Sequence, residues 1–314
     1  MRNSVVVIGA GMMGSGIASM AALAGHPTIL VDVSKERALA GREQAAACIR
    51  LREENGLATA AEAEKAYGLL SVSGSIPDAV EKASLVIEAI IEKLEAKQEL
   101  FHQLDEMLPA DVPICSNTSG LRITEISARC EKHPERTVTA HFWLPAHLVP
   151  LVEVVIGDKT DEAVAVKVRD ELKKWKKSPV LVRRDLPGQL ANRVFQAIIR
   201  ESISIVASGL ASAEDVDTAI AAGMAMRFPV WGPLMHLDAI GTDLGLSVQD
   251  TVLPGISAET HANQYIRDMV ERGDLGSKAG KGFYDWNQLD IQKCITKRDA
   301  FIIETCKVCE KLNG

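Results

Sequence analysis

An apolar run, Val5-Val6-Val7-Ile8, passes straight into Gly9-Ala10-Gly11-Met12-Met13-Gly14, and this turn constrains the chain more than any other feature. Four consecutive β-branched residues read as a strand buried on both faces. The small residues that follow (Ser15, Gly16, Ala18, Ser19, Ala21 and Ala22) let a helix lie close against that strand. Gly9 permits the tight turn, Gly11 lets the backbone approach a pyrophosphate, and Gly14 lets helix and strand pack. The N-terminus of the helix then offers free N–H groups to phosphate oxygens. A second apolar run, Thr28–Val31, ends on Asp32, whose carboxylate is placed to accept from the adenosine ribose hydroxyls and to repel a 2′-phosphate. A glycine turn alone also occurs in α/β proteins that bind no nucleotide. Strand, glycines, small-residue helix, second strand and terminal Asp in this order select a dinucleotide, and NAD rather than NADP.

The first half of the chain continues in the same alternation. Leu85–Glu88, Val112–Cys115, Val138–His141 and Leu151–Val155 read as further strands, with Pro179–Val182 the last. Between them lie amphipathic stretches such as Glu92–Leu108, where Leu94, Leu100, Phe101, Leu104 and Leu108 share one helical face. This predicts a doubly wound, mostly parallel α/β sheet of Rossmann type. The pattern changes at Pro187-Gly188, after which Gln189–Ser208, Ala213–Gly223 and shorter segments read as helices. The expected organisation is therefore a dinucleotide domain over 1–186 and an all-α domain over 187–314.

Composition excludes several partners. The 314 residues carry a net charge of -7 with no basic block, which argues against nucleic acid or an anionic membrane surface. No run is long enough to span a bilayer, and the N-terminus leads directly into the first strand rather than into a secretory signal. The six cysteines are scattered, so a disulfide framework is not expected. Cys306-Lys307-Val308-Cys309 lacks the two further ligands that a zinc site needs, and no metal site is expected. The predicted location is the cytoplasm.

Two polar residues sit in apolar strands of the later sheet. His141 ends Thr137-Val138-Thr139-Ala140, and Glu153 lies within Leu151-Val152-Glu153-Val154. A carboxylate in such a strand is costly unless it is paired. A histidine at a neighbouring strand end is a fitting partner: the carboxylate orients the imidazole, and the imidazole exchanges a proton with a substrate hydroxyl. On spacing alone, a satisfied core histidine and an unrelated strand-edge glutamate fit equally well.

The ordered motifs resemble the 3-hydroxyacyl-CoA dehydrogenase family over nearly the whole chain. The resemblance rests on Val5–Gly14, Glu88-Ala-Ile-Ile-Glu92-Lys-Leu-Glu-Ala-Lys97, Ser116-Asn-Thr-Ser119 and His141-Phe142. It continues through Leu151-Val-Glu153-Val, Pro187-Gly188 with Asn192-Arg193, and Lys278-Ala-Gly-Lys-Gly-Phe-Tyr284. It implies His141 as catalytic base, Glu153 as its orienting partner, and Ser119 and Asn192 as groups that hold the substrate oxygen. It also implies Glu92, Lys97, Ser119 and Lys278 as cofactor-side contacts, and a homodimer formed through the second domain. Taken singly, Ser119 could cap the next helix, Asn192 could serve as a turn residue, and Lys97 and Lys278 read as solvated surface lysines.

Two departures bear on the substrate. The family pattern His-Phe-Phe-Asn-Pro is here His141-Phe142-Trp143-Leu144-Pro145, so an apolar side chain replaces the Asn. Before Gly232-Pro233 stands Gly223-Met-Ala-Met-Arg227-Phe-Pro-Val-Trp231, which is similar to the branch holding L-gulonate 3-dehydrogenase (λ-crystallin) and carnitine dehydrogenase. An arginine there can clamp a free carboxylate with two parallel hydrogen bonds, or it can serve an ordinary salt bridge. The resemblance thus implies an NAD-dependent dehydrogenase whose small-molecule substrate is an L-3-hydroxy acid, with an L-3-hydroxyacyl-CoA as the alternative. A non-catalytic, crystallin-like NAD-binding protein is the reading from another class.

Overall fold

The computed structural model describes residues 2–313. The chain divides into two compact units, the first ending at Ala191 and the second beginning at Asn192. That division falls a few residues later than the Pro187-Gly188 boundary expected from sequence. The reason is local. Gln189 Nε2 donates to the Thr118 carbonyl, and the backbone N–H groups of Leu190 and Ala191 donate to Glu153, so these residues are fastened to the first unit.

The first unit is a Rossmann-type sheet with strands β1 (Ser4–Ile8), β2 (Thr28–Val31), β3 (Leu70–Ser73), β4 (Ala83–Glu88), β5 (Ile114–Ser116), β6 (Thr137–Phe142), β7 (Leu151–Val155) and β8 (Ser178–Val182). Their order is β3-β2-β1-β4-β5-β6-β7-β8, and every neighbouring pair is parallel except β6 with β7. The helices of this unit are α1 (Met12–Leu23), α2 (Lys35–Glu54), α3 (Ala60–Leu69), α4 (Ile76–Val80), α5 (Leu94–Met107), α6 (Ile123–Ile126) and α7 (Glu162–Lys174).

Alternation along the strands builds one core on each face. Val5 and Val7 join Ile17, Leu30, Ile87, Val138, Val152 and Val154 on one side, under α1, α2 and α7. Val6 and Ile8 join Val86, Phe101, Leu104, Ile114 and Ile123 on the other, under α5 and α6. Full burial of a side chain such as Phe101 or Ile114 contributes about 1.5–3 kcal/mol, and both faces of the sheet are filled this way.

The sequence missed β3. Its Leu70-Ser-Val-Ser pattern is half polar because this edge strand is covered mainly on one side, and only Leu70 is buried. The antiparallel β7 was also not foreseen, and it matters: it places Glu153 directly opposite His141 in the ladder.

The second unit comprises α8 (Ala191–Ala207, shared at its first residue), α9 (Ala213–Ala219), a π-helical turn Ile220–Met224, α10 (Pro233–Ile240), α11 (Thr242–Val252), α12 (Gln264–Glu271) and α13 (Ile291–Asn313). No residue of α8 is buried, and Val194 and Phe195 on it are about half exposed. Among the described residues the buried hydrophobics of this unit are Val216, Met269 and Ile303. A groove of about 730 Å3 runs along it, walled by Phe195, Ile199, Ile203, Val216, Met269 and Phe283. No helix of the described residues is long and apolar enough to cross a membrane.

Candidate active site

The glycine turn has the geometry that its spacing requires. Gly9 adopts φ +102°, and a Cβ at Gly14 would lie 1.7 Å from the Gly9 carbonyl oxygen, so neither position tolerates a side chain. A Cβ at Gly11, by contrast, would meet nothing within 4 Å, which leaves open space over the start of α1. No side chain caps that helix; Gly11 is its N-cap, and Met12 and Met13 open its first turn ahead of Gly14. These free N–H groups and the open space above them fit a pyrophosphate. A cleft of about 580 Å3 beside the turn is lined by Gly9, Gly11, Asp32, Arg37, Ile76 and Ile90. The groups present therefore fit a dinucleotide.

Asp32 does more than the sequence indicated. Its Oδ2 accepts from the Ala10 N–H at 2.8 Å, tying the end of β2 to the glycine turn. Its Oδ1 accepts from the Val33 N–H at 2.8 Å and lies 3.0 Å from Arg37 Nε. Of the four acceptor positions on a carboxylate, one on Oδ2 is left for a ribose hydroxyl.

A buried polar chain underlies the loop after β5. Glu88, at the end of β4, is fully buried and accepts from Lys97 Nζ at 2.5 Å, Ser116 Oγ at 2.6 Å and the Ile90 N–H at 2.7 Å. Lys97 Nζ also lies 3.3 Å from Glu92 Oε2. Glu92 Oε1 in turn accepts from Thr118 Oγ1 and from the N–H groups of Ser119 and Gly120. Desolvation works to raise the Glu92 carboxyl, but Thr118, the Lys97 ammonium and the Gly120 N–H outweigh it and hold it below the usual range. Lys97, expected as a cofactor-side contact, has a side chain only 1 % exposed, with its ammonium held between Glu88 and Glu92. Ser119 is exposed on the loop that Glu92 fastens, and it caps nothing, since the N-cap of α6 is Arg122. Glu88 itself was overlooked, although a carboxylate closing the apolar run Leu85-Val86-Ile87 carries the same signal that singled out Glu153.

His141 and Glu153 meet as neighbours across β6 and β7, with Nδ1 2.9 Å from Oε2. Glu153 is fully buried and all of its acceptor positions are used. Oε2 also accepts from the Trp143 indole at 2.9 Å, and Oε1 accepts from the Leu190 and Ala191 N–H groups at 2.8 Å each. Desolvation raises the carboxyl, but His141, Trp143, Ala191 and Leu190 together outweigh it and hold it at about 2. The carboxylate is thus ionised at neutral pH and accepts the Nδ1 proton. That fixes the neutral tautomer and leaves Nε2 as the basic nitrogen. Asn117 Oδ1, which sequence reasoning also missed, accepts from the Phe142 N–H at 2.8 Å and anchors the histidine's strand end to the β5 loop.

Three expected site residues lie in the second unit. Asn192 is half-buried in the first turn of α8. Arg227 is exposed just beyond the π-helical turn, a local geometry that recurs at functional positions. Lys278 is exposed and lines the edge of the apolar groove.

Comparison with known proteins identifies the family. The 3-hydroxyacyl-CoA dehydrogenase NAD-binding domain matches residues 4–186, and the C-terminal domain of the same family matches residues 188–286. A probable 3-hydroxybutyryl-CoA dehydrogenase of Bacillus subtilis (strain 168) is 38% identical over 285 residues, covering 90% of this chain and 97% of its own length. The 5-formyl-3-hydroxy-2-methylpyridine 4-carboxylate 5-dehydrogenase of Mesorhizobium japonicum is 30% identical over 310 residues, covering 99% of both chains. A crystal structure of a 5-dehydrogenase acting on the same pyridine carboxylate, described as an NAD+ dependent dismutase, superposes with a TM-score of 0.89 at 28% identity, again over 99% of both chains. The chain belongs to the 3-hydroxyacyl-CoA dehydrogenase family and is an NAD-dependent dehydrogenase acting on a CH–OH group.

Proposed function

We propose that the chain interconverts a free L-3-hydroxy carboxylic acid and its 3-oxo form, with His141 as the proton acceptor. Bound NAD supplies the hydride acceptor. His141 Nε2 takes the hydroxyl proton, and Glu153 holds the imidazole in the receptive tautomer and supports its charge once protonated. Ser119, exposed on the loop after β5, holds the substrate oxygen. The N-terminus of α1 and Asp32 bind the cofactor, and Glu92 fastens the loop that carries Ser119.

The observation that carries the free-acid reading is Arg227. Its guanidinium is exposed just beyond the π-helical turn, where its planar fork can hold a ligand carboxylate by two parallel hydrogen bonds. The full-length likeness to a relative named for a pyridine carboxylate supports the same reading. A second reading, an L-3-hydroxyacyl-CoA thioester, is favoured by the B. subtilis relative. NADH formation with 3-hydroxybutyrate, L-gulonate, L-carnitine and L-3-hydroxybutyryl-CoA, assayed side by side, separates them. Free acids are expected to be turned over in preference to the thioester. Arg227→Ala is expected to raise KM for the preferred acid about 10- to 100-fold, the loss of a bidentate charged contact, with little effect on a thioester. Equal loss on both, or a preference for the thioester, overturns the free-acid reading.

We also infer that the working form is a cytoplasmic homodimer built on α8. A 17-residue helix with no buried residue, beside an apolar groove, is an unfinished core, and a second copy supplies a matching surface by symmetry. Sedimentation is expected to give a dimer for the wild type and monomer for Ile199→Asp. A wild-type monomer would refute this.

A further inference from the structure

We propose that Trp143 is a positioning residue for proton transfer: its indole N–H, seated on Glu153 Oε2 beside His141 Nδ1, sets how strongly the carboxylate supports the charged imidazole. The proposal rests on His141 being the proton acceptor. The family pattern places Phe at this position, so the fourth donor on Glu153 is a feature of this chain rather than of the dyad.

The indole nitrogen is a donor only and never accepts, so its bond to Oε2 has a fixed direction. It makes a 2.9 Å contact with the same oxygen that His141 Nδ1 approaches at 2.9 Å, and the two rings lie 6.0 Å apart at 51°. Two donors sharing one oxygen each draw on its negative charge, so each weakens the other's hold. The Trp143 bond persists whether the imidazole is neutral or charged. Its effect is therefore to reduce the preference of Glu153 for the charged form. It also fixes the Glu153 rotamer by closing the last open acceptor position.

The buried charge on the loop after β8 has its own partners: Asp185 accepts from the Thr124 N–H and lies 3.8 Å from Arg122 Nε. Glu153 faces Val180 across β8, and α7 packs its uncharged Ala165, Val168 and Leu172 beneath these strands. From β5 come Ser116, bonded to Glu88, and Asn117, bonded to the Phe142 backbone. α6 contributes Ile123 and Ile126. Lys177 donates to the Ala146 and Val149 carbonyls and lies 6.0 Å from the ring of Phe142, whose side chain alternates to the face opposite His141. Among the described residues, the ionisable side chain bonded to His141 is Glu153.

Trp143→Phe removes the donor and keeps an apolar ring. In the direction of hydroxyl oxidation, the rate rises with pH as the base loses its proton. In Trp143→Phe that rising limb is expected to move to higher pH by about half a unit, a roughly threefold loss below the limb, with the high-pH plateau within about twofold of wild type. A purely structural role would lower the plateau or the melting temperature and leave the limb in place; that result overturns the proposal. The substrate is the hydroxy acid or thioester with the highest turnover in the panel above. Should Trp143→Phe not fold, the wild type carries a second readout. The Trp143 indole N–H resonance, identified by replacing the other three tryptophans with Phe in turn, is expected to shift with the same pH midpoint as the limb. A resonance indifferent to pH across that range overturns the proposal. His141→Gln separates the underlying reading: if its residual activity keeps the wild-type limb, the limb does not belong to His141 and that reading fails first.

Discussion

Glu153→Ala is expected to cost the first unit more stability than any other single substitution in the site, and to abolish turnover as well. The carboxylate is fully buried and holds four donors: His141 Nδ1, the Trp143 indole and the Leu190 and Ala191 N–H groups. Truncation leaves all four without an acceptor. Breaking a buried, hydrogen-bonded pair from one side costs about 3–5 kcal/mol, because the remaining groups stay desolvated. For a chain of this size that lowers Tm by about 10 °C, read by thermal denaturation. A Tm within about 2 °C of wild type would contradict the four-donor arrangement.

Glu153→Gln separates rate from fold. The amide keeps an oxygen for the two backbone N–H groups but turns an NH2 toward His141 and the Trp143 indole, so Nδ1 must accept, its proton moves to Nε2, and the indole donor loses its acceptor. The base then carries its proton on the wrong nitrogen. In comparable buried dyads, loss of the correct tautomer costs about 10,000-fold in kcat. The expected signature is a loss of at least about 1,000-fold in kcat, with far less thermal destabilisation than in the Ala variant.

The carboxyl also gives the fold a pH dependence of definite sign. Held at about 2, against 4.5 for a free side chain, it stabilises the folded form fully above about pH 4.5. That contribution declines as pH falls from 4.5 toward 2, where the carboxylate takes up its proton.

What the sequence made legible was local. The glycine turn, α1 and Asp32 follow one another within one strand–helix–strand unit, and each residue type answers to a steric or electrostatic demand that spacing alone expresses. His141 and Glu153 were readable as costly polar residues in apolar strands, but spacing left their partnership as one of two readings and only the family resemblance favoured it. Their pairing depends on β7 running antiparallel to β6, and nothing in either strand encodes that direction.

The chain Glu88–Lys97–Glu92–Thr118 was hidden for a related reason. Lys97 occupies a helix position where a lysine is ordinarily solvated, and only the fold brings two carboxylates onto it. Trp143 stood beside the more conspicuous Leu144, and its donor role depends on where the indole points. The compact units divide a few residues beyond Pro187-Gly188 because Glu153 reaches forward to accept from the Leu190 and Ala191 N–H groups, whereas the two family domains meet at residues 186–188.

The most direct test of the dyad is His141→Gln, with turnover and cofactor binding measured on the same protein. Gln fills much of the imidazole's space and can still donate to Glu153, so the buried carboxylate keeps a partner and the sheet is undisturbed. It has no nitrogen able to take up a proton at neutral pH. General-base removal typically costs 100- to 10,000-fold, so kcat/KM is expected to fall about 1,000-fold. The glycine turn and Asp32, proposed to bind the cofactor, involve none of this, so the NADH Kd from a fluorescence titration is expected to stay within about twofold. Turnover within about tenfold of wild type, at unchanged NADH affinity, would show that the proton goes elsewhere and would contradict the assignment of His141 as the base.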